Sequence, residues 1–260
     1  MPRSRVLAAC AVPVVALVAV AGFAPLPFAI AQPGTTADVL GKDQGREVIT
    51  ITGAPVRPTT GQLRMTTILA TGPGTDVDLG DVADAWFRTD RAVLPHDNVY
   101  PPGKSDAEIE QRNLGQMKES QDAAAVAALN YLKLDPEQVK VGLHLADVGG
   151  PSAGLLFALG VVDKLDGDGD GGDLTGGGIV AGTGTIAPDG KVGAVGGVSL
   201  KTQAASRDGA TVFLVPKDEC SDARAELPEG MRLVPVSTLS DAVASLRDLG
   251  QGQESKVPSC

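Results

Sequence analysis

The stretch that most restricts this chain is Gly149-Gly150-Pro151-Ser152-Ala153-Gly154, set between an apolar strand-like segment and an apolar run. Leu155, Leu156, Phe157, Leu159, Val161 and Val162 leave that run no polar face. Such a helix must be enclosed by other elements. A Gly-rich strand-to-helix turn exposes a serine hydroxyl beside the unpaired N–H groups and the positive end of the helix. Acyl transfer needs both a reachable nucleophile and donors aimed at a developing oxyanion. Ser152 is therefore the candidate nucleophile, with Gly150 and Ala153 as supporting positions of its turn.

Gly150-x-Ser152-x-Gly154 also fits the nucleophile elbow, which needs its histidine after the serine. The two histidines, His96 and His144, both precede Ser152. His144 lies on the strand leading into the turn. His96 sits in a Pro-rich loop and could serve only in a His-Asp-Ser order. The other candidate base is a lysine, which works near neutral pH only when burial or nearby positive charge lowers its pKa. Lys164 borders an acidic loop, Lys191 sits in a Pro-Asp-Gly-Lys turn, Lys217 lies beside acids and Lys256 is in the polar tail. Lys201 alone follows a Gly-Gly turn and has small, apolar neighbours. The residues themselves leave a Lys201-based and a His96-based site both open.

A wider pattern surrounds this serine. Pro151-Ser152-Ala153-Gly154 is followed by Thr183-Gly184-Thr185-Ile186, Gly190-Lys191-Val192, Gly196-Gly197, Lys201 and Val212-Phe213-Leu214-Val215-Pro216-Lys217. In order and spacing, over about Val139–Leu249, the set resembles the proteolytic domain of Lon-type proteases. The resemblance implies Ser152 as nucleophile, Lys201 as general base and Thr183 as the hydroxyl that helps position the lysine amine. It implies an α/β (α+β) fold of the Lon-protease type, akin to the second domain of ribosomal protein S5, with a mixed sheet and flanking helices. It also implies a serine endopeptidase acting on polypeptide substrates and assembling with further copies of itself.

Two positions depart from the family's motifs: Gly149 stands in place of an aspartate, and Thr185 in place of the glutamate of Thr-Gly-Glu. These stretches are more similar to the membrane-anchored bacterial branch that joins a PDZ domain to the Lon protease domain. In that branch the PDZ module lies between a helix and the strand before the serine. Here only Lys133–Gln138 separates Leu132 from Val139, too little for a PDZ fold.

A net charge of −10 excludes nucleic acid as a partner, since that needs a cationic face. Gly184–Val192 is a near miss for a phosphate loop, one residue too long and ending in valine where Ser or Thr would bind magnesium. No nucleotide and no cofactor is therefore expected, and substrates should be already unfolded or membrane-proximal. The alternative is a degenerate Lon-like module that binds peptides or scaffolds an envelope complex, which the missing PDZ module, Gly149 and Thr185 would suit.

Arg3 and Arg5 precede an apolar run, Val6–Ala31, long enough to span a bilayer. Positive charge on the leading side predicts a cytoplasmic N-terminus and an exported remainder. The run reads as a single-pass anchor in the cell membrane. Ala29-Ile30-Ala31 before Gln32 leaves the alternative of secretion after cleavage near Ala31. Export would place Cys220 and Cys260 where disulfides persist, and pairing them would pin the C-terminal tail.

The expected organisation is an anchor or signal segment at 1–31, a polar tether at 32–45, the first part of the exported domain at 46–132, the catalytic domain at 133–250 and a tail at 251–260. Strands are expected at Glu47–Thr52, Leu63–Thr71, Val139–Ala146, Ile179–Ile186, Thr211–Val215 and Arg232–Val236. Helices are expected at Asp76–Phe87, Ser105–Leu132, Ser152–Leu165, Ser199–Arg207, Glu219–Glu226 and Leu239–Leu249. Leu94–Lys104 reads as a loop, and Trp86 and Met117 as packing residues. Asp166-Gly-Asp168-Gly-Asp170-Gly171 opens like an EF-hand calcium loop, but its twelfth position is Gly177 rather than glutamate. A flexible acidic loop without metal is the expectation there.

Overall fold

The computed structural model describes residues 11–16, 20, 22, 24–146 and 148–260. Its strands are β1 (Phe28–Asp38), β2 (Lys42–Asp43), β3 (Arg46–Glu47), β4 (Ile49–Thr52), β5 (Gln62–Ala70), β6 (Ala92–Pro95), β7 (Lys140–Leu143), β8 (Ile179–Gly182), β9 (Thr185–Ile186), β10 (Val192–Gly193), β11 (Val212–Pro216) and β12 (Arg232–Val236). Its helices are α1 (Leu79–Trp86), α2 (His96–Val99), α3 (Asp106–Leu132), α4 (Gly154–Leu165), α5 (Val198–Arg207), α6 (Cys220–Arg224) and α7 (Leu239–Gly250). The chain forms two units, one of residues 1–32 with 69–106, the other of 33–68 with 107–260.

In the larger unit the sheet order is β12-β11-β8-β5-β1, with β12, β11, β8 and β5 mutually parallel. This is the mixed α/β architecture expected from the sequence. Side chains along β11 alternate between two cores, as the period of a strand requires. Leu214 faces a core built on α4, while Phe213 and Val215 join a second with Val198, Ala205, Ala223 and Leu233. α4 is buried from Gly154 to Lys164. Leu155, Leu156, Phe157, Leu159, Val161 and Val162 each contribute roughly 1.5–3 kcal/mol of burial. Met117 is buried in the same core.

In the smaller unit β6 runs antiparallel to the first residues of β1, from Phe28↔Pro95 to Ala31↔Ala92. α1 starts at a capping box in which Asp78 accepts from Asp81 N–H and Asp81 from Asp78 N–H. Trp86 does not pack: it is 76% exposed, and Phe87 87%. Only Ala85 of the short α1 is buried, so the expected packing role of Trp86 is not realised.

Several sequence boundaries move. Phe28–Ala31 belongs to β1, not to the apolar run before it, and residues 6–10, 17–19, 21 and 23 of that run lie outside the described residues. Among the described residues no helix is long and apolar enough to cross a membrane. Residues 32–45 are no tether: β1 runs to Asp38, Val39 and Leu40 are buried, and Val39 N–H bonds to Leu63 O at 2.8 Å. Gln-Pro-Gly-Thr-Thr carries no local strand signal; pairing with distant residues makes the strand. The expected division at 132/133 falls inside the larger unit, because α3 and α4 share one core. The expected loop after Leu94 holds the end of β6 and α2.

The acidic loop is organised around an arginine. Arg57 donates to the carbonyls of Asp163, Gly171 and Gly172 at 2.8–2.9 Å, and its guanidinium pairs with Asp163 and Asp173. Asp168 accepts N–H bonds from Asp170 and Gly172, and Asp166 pairs with Arg247. The cation inside this loop is thus the protein's own. Adding calcium or EDTA should leave the melting temperature unchanged; a rise with calcium would show that metal competes with Arg57.

Candidate active site

Ser152 lies two residues before α4, partly buried, and Ala153 beside it is fully buried. The turn is held by α3, a contact with no signature in the sequence. Gly150, at φ +88°, donates its N–H to Asn113 O at 3.0 Å, and Ser120 Oγ donates to Pro151 O at 2.9 Å. Gly149 is explained by the same helix: a Cβ there would stand 2.7 Å from Asn113 Cβ. An aspartate at this position has no room while α3 carries Asn113. Gly149→Asp should therefore cost about 1–3 kcal/mol of stability through overpacking, with partial recovery in the Gly149→Asp, Asn113→Gly double variant. Denaturant unfolding measures both.

The expected strand Ile179–Ile186 breaks after Gly182. Thr183 N–H bonds to Leu214 O at 3.0 Å, and Gly184 N–H turns to Ser152 O at 2.9 Å. The parallel register of β8 and β11 thus sets Thr183 at the carboxyl end of the sheet, where open α/β sheets place their crevices. Leu155 N–H returns the contact to Gly184 O at 3.1 Å. The N–H groups of Ser152 and Ala153 have no hydrogen-bond acceptor among the described residues.

Lys201 enters from α5. It is 3% exposed, and its Nζ donates to Thr183 Oγ1 at 3.1 Å. The Thr183 hydroxyl in turn donates to Ser152 O at 3.3 Å. Its proton is directed at the carbonyl, so its lone pair meets the amine. Burial pulls the amine down from its ordinary 10.5 to about 8, against the pull of Glu219 and Asp222 in the other direction. Among the described residues no hydrogen bond joins Nζ to Ser152 Oγ; Thr183 links the two residues.

The other sequence candidates stand elsewhere. His96 Nε2 lies 3.1 Å from Pro73 O, with Asp97 and Tyr100 around the ring. His144 is exposed. Lys164 pairs with Glu47 and the exposed Lys191 with Asp189. Cys220 and Cys260 form a disulfide.

A partly buried serine at the head of an enclosed helix, tied through a threonine to a buried lysine, defines a site of the serine–lysine hydrolase type. Residues 82–246 match the family model of the Lon protease (S16) C-terminal proteolytic domain, and the chain belongs to that family. It is 31% identical over 177 residues to a Lon protease of Chloroflexus aggregans, covering 61% of this chain and 20% of that protein. It is 32% identical over 162 residues to a Lon protease of Clostridioides difficile, covering 57% of this chain and 19% of that protein. The chain thus spans about a fifth of the length of these relatives.

Proposed function

We propose that this chain is an exported, membrane-anchored serine endopeptidase that works without ATP on unfolded or membrane-proximal polypeptides. The observation that carries the reading is the buried Lys201 amine bonded to Thr183, whose hydroxyl holds the carbonyl of Ser152. Neutral Lys201 takes the proton of Ser152 Oγ as that oxygen attacks the peptide carbonyl. The N–H groups of Ser152 and Ala153 hold the oxyanion, and the lysine then protonates the leaving amine. Water releases the acyl group with Lys201 again as base. Contacts between base and nucleophile commonly tighten only once substrate is bound.

Independence from ATP is supported by Gly184–Val192, which forms the β9–β10 hairpin with Lys191 paired to Asp189 rather than a phosphate cradle. Anchoring is supported by the smaller unit. Leu26 N–H bonds to Val77 O at 2.8 Å, so the chain leaves the apolar run beside the start of α1. α1 carries the exposed Leu79 and Trp86, with Phe87 next in the chain, and such side chains suit the boundary between lipid and water. Cleavage after Ala31 would remove the residues of β1 that pair with β6, which favours retention.

A serine-reactive phosphonate should label Ser152 in the wild-type chain and fail to label the Lys201→Met variant. Absence of labelling in folded wild-type protein would reject the peptidase and favour a peptide-binding module. Alkaline carbonate extraction of membranes tests the anchor separately: release of the chain would reject it.

A further inference from the structure

The turn that delivers Lys201 is not held by its own residues. It leaves β10 at Gly193 and enters α5 at Val198 through Gly196 and Gly197, the latter left-handed at φ +64°. α5 has no side-chain cap of its own at Gly197. Two carboxylates from a later segment supply the missing acceptors. Glu219 Oε2 accepts from Val195 N–H at 3.0 Å, and Asp222 Oδ2 accepts from Val198 N–H at 2.9 Å. The second bond is a helix cap provided from another element, and a carboxylate there also complements the positive helix end. Glu219 and Asp222 flank Cys220, whose bridge to Cys260 braces that segment.

We infer that Glu219 and Asp222 are positioning residues for Lys201, carried on a disulfide-braced segment that holds both sides of the turn presenting the amine. The inference rests on Lys201 as the general base of the proposed peptidase. Besides fixing the turn, the two carboxylates set the charge that the amine meets. β8 and β11, which pack against α5, carry no titratable side chain, and Arg207 lies at the far end of α5. On the segment holding α6 and the residues just before it, Lys217, Asp218 and Arg224 accompany Glu219 and Asp222, and these last two are the charges that act on the amine. Burial disfavours the ammonium and the carboxylates favour it. Neutralising one carboxylate leaves burial less opposed, so the amine must titrate at lower pH.

Glu219→Gln and Asp222→Asn each keep an acceptor oxygen and remove the charge. In the full chain with labelled lysine, NMR should show the Lys201 midpoint falling by about half a pH unit or more. The acid limb of the kcat/KM profile should move with it. Glu219→Ala and Asp222→Ala also remove the hydrogen bond, and kcat should fall about tenfold or more with KM within about twofold. A lysine midpoint and acid limb unmoved in both the Gln and the Asn variant would overturn the inference. Those two variants decide it even if the alanine variants fail to fold. The NMR midpoint needs no turnover. A shifted midpoint in a chain without peptidase activity would thus reject the peptidase and keep the positioning role.

Discussion

Replacing Lys201 by methionine should abolish turnover and raise the melting temperature at neutral pH. The amine is buried and titrates at about 8 in the folded chain, against an ordinary 10.5. A folded value below the unfolded one means that the native state binds the proton more weakly. Below about pH 8 folding therefore carries the cost of enclosing an ammonium, on the order of 3 kcal/mol at about 1.4 kcal/mol per unit. That cost fades between about pH 8 and 10.5, so wild-type stability should climb through this window. Lys201→Met fills the space with a side chain of similar length and no charge, and its stability should lack the climb. Its rate should fall by three orders of magnitude or more, as for other single losses of nucleophile or base. Ser152→Ala should lose the rate equally and keep the pH dependence of stability. Calorimetry at pH 6, 8 and 10, with peptide turnover beside it, separates the two. Turnover persisting in Lys201→Met would place the base elsewhere.

Reduction of the Cys220–Cys260 bridge should cost nearly as much stability as the lysine substitution returns. The two cysteines are 40 residues apart in sequence. Loop-closure entropy assigns a bridge of that span about 4 kcal/mol, acting mainly on the unfolded chain. The folded side is not idle. Cys220 and Cys260 pack against the second core, and Arg232 holds the tail through the carbonyls of Glu254 and Val257. The tail should thus stay docked in part, and the measured loss should fall at about 2–4 kcal/mol. Urea unfolding with and without a thiol reductant reads it, with a Cys220→Ser, Cys260→Ser variant as the control that reductant cannot move. Coincident wild-type curves would show that the bridge contributes nothing.

Much of the site was legible because its signals are local. A helix without a polar face must be buried, and the Gly-rich turn before it must present Ser152. Lys201 stood out by the smallness of its neighbours, which is the sequence trace of a dry environment. The α4 core and the alternation along β11 follow from periodicity in the same way. What sequence reasoning missed is held by partners far away in the chain. β1 passes through Pro33-Gly34-Thr35-Thr36 because β5 lies beside it in the sheet, where Thr67 Oγ1 donates to Thr35 O and Arg64 Nε to Thr36 Oγ1. Asn113 and Ser120 are unremarkable positions of a long helix until that helix lies across the serine turn. Arg57 becomes the centre of the acidic loop only once Asp163, Gly171 and Gly172 fold around it.

The sequence by itself determined which groups could do chemistry and which elements had to be interior, because hydroxyl, amine and apolar periodicity are properties of neighbours along the chain. Only the tertiary structure decided how those groups are held: Thr183 between amine and serine, α3 over the turn, and two carboxylates at the entrance of α5. Burial, charge and hydrogen-bond geometry depend on separation in space, and residues tens of positions apart acquire it only on folding.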